Sequence, residues 1–417
     1  MTTSSPRYAA TVVQLARLGD LAQSWPLIHR LASTRGTDRV ALVVDRQLAG
    51  LAGLMVGSDN VLSIPLSKLV GGSKGINYSG YLRGLRELTA QLGRLGCERV
   101  INLNYHGASA AIAEAIPAKE RLGARWTDVA AERPSDPQTL ELFAATFGER
   151  KGRRHLSDIW LEYAADEPQS RLHLIQIPTE LSDQAAGLLD EAGLDSKDCP
   201  IAVIPGAGLE ARQWRSESFA RLIAEISPTA PVVLVGTAGE AGLADQIIAL
   251  SGASRRRVIS ICGKTDPKIL AAILARCRLA IGVDTGALQL AAAVGTPCLG
   301  IYYGSMNFRE TGPYGEGNMV IAPDDPSYPS QEWEMERRAD FWRTAISAEA
   351  VVEAAKAMMT GTSIELNHGV SFYKSHLTGN GLKWIEAGDK PALLTLATET
   401  KLELLQADEG VCLGALQ

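Results

Sequence analysis

Along the chain, short apolar runs alternate with stretches whose apolar residues recur at helical spacing. Residues 9–15 predict a buried strand, and after Gly19-Asp20 the series Leu21, Trp25, Ile28, Leu31 predicts an amphipathic helix. Residues 39–44, 61–64 and 99–103 predict further strands, with helix over 81–95. A new cycle begins at Pro200. Strands are predicted at 200–205, 231–235, 258–261, 279–283 and 297–302, and helices at 216–226, 241–250, 267–277 and 285–294. Strands that alternate with helices predict parallel sheets covered on both faces.

Two places break the rhythm. Between 66 and 78 the pattern lapses into Lys68, Gly71, Gly72, Ser73, Lys74, Gly75 and Asn77, a loop of the kind that either carries binding groups or merely connects. Between 134 and 178 the periodicity weakens, as expected where one half ends and a linker follows. The predicted organisation is therefore a first Rossmann-like half over 1–180, a second over 181–345, and an extension over 346–417. That extension is expected either to pack back on the first half or to serve an oligomer interface.

Composition sharpens this picture in a few respects. A chain of 417 residues is too long for one ordinary core, and 46% hydrophobic with 21% charged residues is a globular balance. A formal charge of -6 argues against a nucleic-acid partner, whose binders carry a basic excess. The first six residues are polar and the apolar run after them is broken by Gln14, Arg17 and Asp20, so no secretory signal is read and a cytoplasmic protein is expected. The apolar tract 287–303 contains Gln289, Gly295, Thr296, Pro297 and Gly300, which predicts helix, turn and strand rather than a membrane span. Peripheral contact at the inner membrane face stays open. The six cysteines and six histidines are scattered without metal-ligand spacing, so reduced thiols and no metal site are expected. After the first strand there is no Gly-x-Gly-x-x-Gly, which weighs against a nicotinamide or flavin enzyme.

Candidate chemistry lies where strands give way to helices, since ligands of open parallel sheets bind outside the carboxyl ends of the strands. At Asp284-Thr285-Gly286 a helix start offers backbone N–H groups to an anion such as a diphosphate, and Gly286 permits close approach. The alternative is that Asp284 only caps the helix. Pro205-Gly206-Ala207-Gly208 with Arg212-Gln213-Trp214 offers a glycine turn and a guanidinium able to fork onto phosphate oxygens, although Trp214 alone would be a packing anchor. In the first half Asp20 is either a helix cap or an acid placed to take a proton from a hydroxyl nucleophile.

Taken together, Arg17-Leu18-Gly19-Asp20 with Trp25-Pro26, Asn102-Leu103-Asn104-Tyr105-His106-Gly107, Pro205-Gly206-Ala207 with Arg212-Gln213-Trp214, and Asp284-Thr285-Gly286 through Gly295-Thr296-Pro297 form a joint pattern. Their order and spacing resemble glycosyltransferase family 9, the lipopolysaccharide heptosyltransferases and their relatives, over roughly residues 9–316. Gly312-Pro313-Tyr314-Gly315 is similar to the family's closing Gly-Pro segment. The resemblance implies a GT-B architecture, two Rossmann-like domains facing an interdomain cleft, with acceptor held mainly by the first and an ADP-sugar by the second. It implies inversion at the anomeric carbon without a required metal or cofactor.

By matching position, Asp20 would be the general base and Arg212 would offset charge on the departing diphosphate. Gly206, Ala207, Gly208, Asp284, Thr285 and Gly286 would line the donor phosphates, Glu240 would meet the ribose, and Gly263 and Lys264 would lie along the adenine. Lys74, Tyr105 and His106 fall in the acceptor-side segments. Where the family commonly has a histidine four residues after its Asp-Thr-Gly threonine, this chain has Gln289, expected to turn its amide to the same phosphates. The implied reaction is transfer of heptose or a related sugar to a lipopolysaccharide, surface-glycan or protein acceptor. The alternatives are a nucleotide-sugar epimerase and a non-catalytic sugar-nucleotide-binding relative.

Overall fold

The computed structural model describes residues 6–65, 78–131, 139, 141, 154–168, 172–195, 197–303, 307–324, 343–362, 364, 369–379 and 381–386. The chain separates into two compact units, Met1–Lys151 with Leu156–Ile175, and Gly152–His155 with Gln176–Gln417.

In the first unit, β1 (Tyr8–Gln14), β2 (Val40–Asp45), β3 (Val61–Ile64), β4 (Cys97–Asn102) and β5 (Ala118–Gly123) form one sheet in the order β3-β2-β1-β4-β5. Every pairing is parallel. All seven residues of β1 are buried, because as a central strand of a covered sheet it has no solvent face. Each large aliphatic side chain so buried contributes roughly 1.5–3 kcal/mol, which outweighs the backbone ordering of a residue. β5 reads Ala-Lys-Glu-Arg-Leu-Gly and is mostly exposed or half-buried. It is an edge strand, and its polar sequence gave no strand pattern to read.

In the second unit, β6 (Ile201–Ile204), β7 (Val232–Leu234), β8 (Val258–Ser260), β9 (Leu279–Val283), β10 (Cys298–Ile301) and β11 (Met319–Pro323) are parallel. A hairpin of β12 (Val370–Thr378) and β13 (Gly381–Glu386) continues the sheet antiparallel to β11, giving the order β13-β12-β11-β10-β9-β6-β7-β8. Without the hairpin this is the doubly wound order, reversing direction between β6 and β9 as the first sheet reverses between β1 and β4. At those two reversals the flanking helices leave the sheet on opposite faces, which opens a crevice at the carboxyl ends of the strands.

The helices covering the second sheet follow apolar stripes. Ser216–Ile226 buries Phe219, Ala220, Leu222, Ile223 and Ile226, one face at 3.6 residues per turn. Trp214 stands edge-on to Phe219 at 5.0 Å, and its indole N–H donates to the Ile346 carbonyl at 3.0 Å. It is a packing anchor. The described part of 346–417 contributes the helix Ala348–Thr360 and the hairpin, both in the second unit. Cys97, Cys262, Cys277 and Cys298 are buried free thiols, whereas Cys199, against the expectation of reduced cysteines, is disulfide-bonded.

Candidate functional site

At the reversal point of the first sheet, β1 and β4 end side by side on a layer of buried amides. Gln14 Oε1 accepts from the Ala16 N–H at 3.2 Å and from Asn104 Nδ2 at 2.5 Å, while Asn104 Oδ1 accepts from the Leu15 N–H at 2.7 Å. Asn102 accepts from the Asn104 N–H and donates to the Ala124 carbonyl at 2.6 Å. These bonds satisfy loop backbone that could not otherwise be buried, and so fix the two loops that carry the candidate residues. Sequence reading passed over Gln14 as a break in an apolar run; its place at the end of a central strand was the available signal.

Asp20 lies in the first turn of the helix Leu18–Gln23, half-buried, and its Oδ2 accepts from the Arg17 N–H at 3.0 Å. The carboxylate thus reaches back to the residue that opens the helix. Burial raises its pKa above the ordinary aspartate value, with the Arg17 backbone bond and charge opposing. The carboxylate therefore helps to close the helix start, and its affinity for a proton is increased.

Across the reversal point His106 opens the helix Gly107–Ala115, with Nδ1 accepting from the Ser109 N–H at 3.1 Å. Burial lowers its pKa, so at neutral pH the ring is neutral and carries its proton on Nε2. Tyr105 departs from the expected acceptor contact: it is buried, and its hydroxyl donates to the Asp128 carbonyl at 3.0 Å, bracing the helix Trp126–Ala131. Lys74 lies outside the described residues.

In the second unit the turn after β6 and the helix start after β9 are neighbours, because β6 and β9 pair. Glu240 joins them. Its Oε2 accepts from the Thr237 N–H at 2.6 Å and hydroxyl at 2.9 Å, closing a capping box. Its Oε1 lies over Gly206 so closely that a Cβ there would stand 1.7 Å from it. Only glycine leaves the carboxylate room at this turn. Gly206 is buried, Ala207 half-buried and Gly208 exposed. Arg212 closes the short helix Glu210–Arg212, half-buried, on the loop that continues from this turn. Beyond β8, Gly263 and Lys264 are both exposed.

The helix Gly286–Ala293 begins at Thr285, which is its N-cap residue but makes no side-chain cap bond. Asp284 is not the cap. Its carboxylate is bonded on the other side, Oδ1 to the Tyr302 hydroxyl at 3.3 Å and Oδ2 to the Thr311 hydroxyl at 3.4 Å. Burial, then the Asp284 charge, raises the Tyr302 pKa well above that of a free phenol, so Tyr302 stays a donor. Its single proton is shared between Asp284 and the Thr311 carbonyl at 3.1 Å.

Gln289 completes this network and departs from its expected role. Its Nε2 donates to the Thr311 carbonyl at 2.5 Å and to the Tyr302 hydroxyl at 3.3 Å, and the residue is buried. With both amide hydrogens so directed, Gln289 holds the helix to the segment Phe308–Thr311 instead of offering a hydrogen to the phosphates. Tyr302 and Thr311 are therefore site residues the sequence reading missed. Tyr302 was legible as the aromatic following β10; Thr311 was not, because its place depends on a fold-back ten residues after that strand. Among the described residues no group of three or more potential ligands gathers around a metal position, and no helix is long and apolar enough to cross a membrane.

Two Rossmann-like sheets with the doubly wound order and paired loop sites at their reversals define a GT-B glycosyltransferase fold, and solved structures agree. A glycosyltransferase family 9 protein from Veillonella parvula is 19% identical with a TM-score of 0.67, covering 85% of this chain and 98% of its own. E. coli ADP-heptose lipopolysaccharide heptosyltransferase II is 15% identical with a TM-score of 0.62, over 84% of this chain and 97% of its own. The family model for glycosyltransferase family 9 (heptosyltransferase) matches residues 85–339, and the chain belongs to that family. A lipopolysaccharide core heptosyltransferase, OpsX, of Haemophilus influenzae is 20% identical over 85% of this chain and 98% of its own length. The protein is thus a heptosyltransferase-like glycosyltransferase.

Proposed function

We propose that this enzyme transfers heptose or a related sugar from an ADP-linked donor to a glycan, glycolipid or protein hydroxyl, with inversion at the anomeric carbon. The observation that carries this reading is the start of the helix Gly286–Ala293, left without a side-chain cap at the strand reversal beside the Gly206 turn. A helix start of this kind favours an anion through its unpaired N–H groups and its dipole. Thr285 and Gly286 hold the diphosphate, Arg212 offsets the charge it gains on leaving, and Glu240 presents Oε1 to a ribose hydroxyl. Gly263 and Lys264 flank the base. Asp284 and Gln289 act behind this surface, by fixing the helix start through Tyr302 and Thr311.

In the reaction the acceptor hydroxyl oxygen forms the bond to the anomeric carbon as the bond from that carbon to the diphosphate oxygen breaks. Attack from the face opposite the leaving group inverts the centre. Asp20 takes the hydroxyl proton, and its raised proton affinity suits that task. His106, neutral with a ring N–H available, donates to an acceptor hydroxyl. No metal or cofactor enters this scheme.

Incubating the protein with a panel of nucleotide sugars and glycan acceptors, with products read by mass spectrometry, tests the reading. A transfer product with inverted configuration and release of ADP is expected. Epimer formation without acceptor, or binding without turnover, would overturn it.

A further inference from the structure

We infer that the β12–β13 hairpin is part of the donor site's machinery and that Trp384 on β13 is a positioning residue for the phosphate-facing helix start. This rests on the donor reading above and goes beyond it, because residues 370–386 lie past residue 339, where the family match ends.

The hairpin grips the segment 308–318 at successive points. Tyr373 stacks on Phe308 with ring centroids 4.6 Å apart, and Trp384 meets the same ring edge-on at 5.5 Å. Arg309 lies over both the Phe308 and Tyr373 rings. Ser375 donates to the Gly315 carbonyl at 2.7 Å and accepts from the Asn318 N–H at 2.8 Å. Glu316 is held by the Leu377 N–H at 2.6 Å and by His376 at 3.0 Å. The tightest contact is at Gly312, where a Cβ would stand 2.5 Å from Trp384 Cζ2 and 2.5 Å from the Phe308 carbonyl oxygen. The indole therefore occupies the space a side chain at 312 would need.

Thr311 lies inside this grip. Its carbonyl receives Gln289 and Tyr302, and its hydroxyl reaches Asp284, the residue before the N-cap Thr285. The path from Trp384 to the helix start thus runs through packed and hydrogen-bonded neighbours only: indole on Gly312 and Phe308, then Thr311, then Asp284 and Gln289. A loop free to drift here would let the Thr285 and Gly286 backbone move against a ligand, and shifts of about 1 Å are enough to weaken oriented binding. The Trp384 Nε1 atom is buried without a hydrogen-bond partner, so the ring and not its N–H does the positioning.

Trp384→Ala, Trp384→Phe and Gly312→Ala in the full chain test this by ADP calorimetry, by separate donor and acceptor KM, and by hydrogen exchange. Trp384→Ala is expected to weaken ADP binding by about fivefold or more, with acceptor KM within about twofold, and Trp384→Phe to restore most of the loss. Gly312→Ala, which displaces the indole and also crowds the Phe308 carbonyl, should weaken ADP binding at least as much as Trp384→Ala. Exchange should quicken in peptides over 284–290 and 308–312 and stay unchanged over 216–226, a local pattern that general destabilisation would not give. Unchanged exchange at 284–290 in Trp384→Ala, or a Trp384→Phe variant as impaired as the alanine, would overturn the inference. If the wild type binds no ADP, the donor reading fails, and the exchange pattern still decides the coupling.

Discussion

The amide nitrogen of Gln289 lies 2.5 Å from the carbonyl oxygen of Thr311, joining the first turns of one helix to a segment that returns after β10. Because a carbonyl can only accept, the orientation of the amide follows from its partner: nitrogen toward Thr311, oxygen away. The oxygen, Oε1, is buried without a partner. Gln289→Glu would set an acidic acceptor against that carbonyl, near the Asp284 carboxylate. It is expected to cost about 1–3 kcal/mol of stability, the range for an unsatisfied buried group. Gln289→His keeps an N–H donor and should cost less. Urea unfolding of both variants checks the order, and equal stability of Gln289→Glu and wild type would return Gln289 to a surface role.

This residue also marks how far the sequence could be read. Spacing put Gln289 on the same side of the helix as Thr285, which is correct at 3.6 residues per turn, but spacing carries no information on what the neighbouring loop does. The central strands were legible because burial on both faces imposes continuous apolar runs, as in β1 and β6. β5, with Lys119, Glu120 and Arg121, was not, since an edge strand draws its stability from one ladder and asks little of its side chains. The hairpin was missed for a related reason: β12 buries Lys374 and Ser375 among apolar residues, so its period is masked. Gly206 and Asp284 were singled out by position at strand ends, whereas the Glu240 carboxylate over Gly206 is a tertiary contact that no local pattern announces.

Replacing Asp20 with asparagine separates its two roles. Asparagine can still accept the Arg17 N–H, so the helix start survives, while the base is lost. Turnover should fall by roughly a hundredfold or more at unchanged ADP affinity. The folded pKa is raised, so the native state binds more protons than the unfolded chain between the ordinary aspartate pKa and the raised one. Stability from this group is therefore full below the unfolded value and is lost as pH rises through the folded value. At pH 7 Asp20→Asn should unfold no more easily than wild type. Wild-type turnover at saturating substrates in Asp20→Asn would remove it as the base.

Arg212→Ala should weaken ADP binding by about 1.5–3 kcal/mol, the range for a hydrogen bond to a charged group. Its place on the loop following the Gly206 turn motivates the figure. Calorimetry is the measurement. Equal affinity in variant and wild type would move the phosphate charge elsewhere, and Lys264→Ala is the control that would then show the loss.

The last prediction concerns His155, which is buried in the second unit with Nε2 2.8 Å from the Gly312 carbonyl and its ring 4.9 Å from that of Tyr314. The carbonyl can only accept, so Nε2 carries the proton. Burial pushes the pKa down to about 4, with the Gly312 bond opposing. An unfolded histidine takes up its second proton near pH 6.5, about 2.5 units higher. Between these values the unfolded chain binds more protons, so stability rises with pH across the window and is lost as pH falls from about 6.5 through 4. The full difference is on the order of 3 kcal/mol. Protonation keeps the Nε2–H bond to the Gly312 carbonyl but places a charge where burial disfavours it, so the cost falls on the packing of the ring and not on that bond. His155→Gln keeps a donor for Gly312 and cannot titrate. Denaturant unfolding of wild type and variant at steps between about pH 4.5 and 7 should therefore show a shallower slope in the variant, the titrations of all other groups cancelling in the difference. Parallel slopes, or an imidazole that titrates near pH 6.5 in the folded protein by NMR, would show that this histidine is not held neutral by its surroundings.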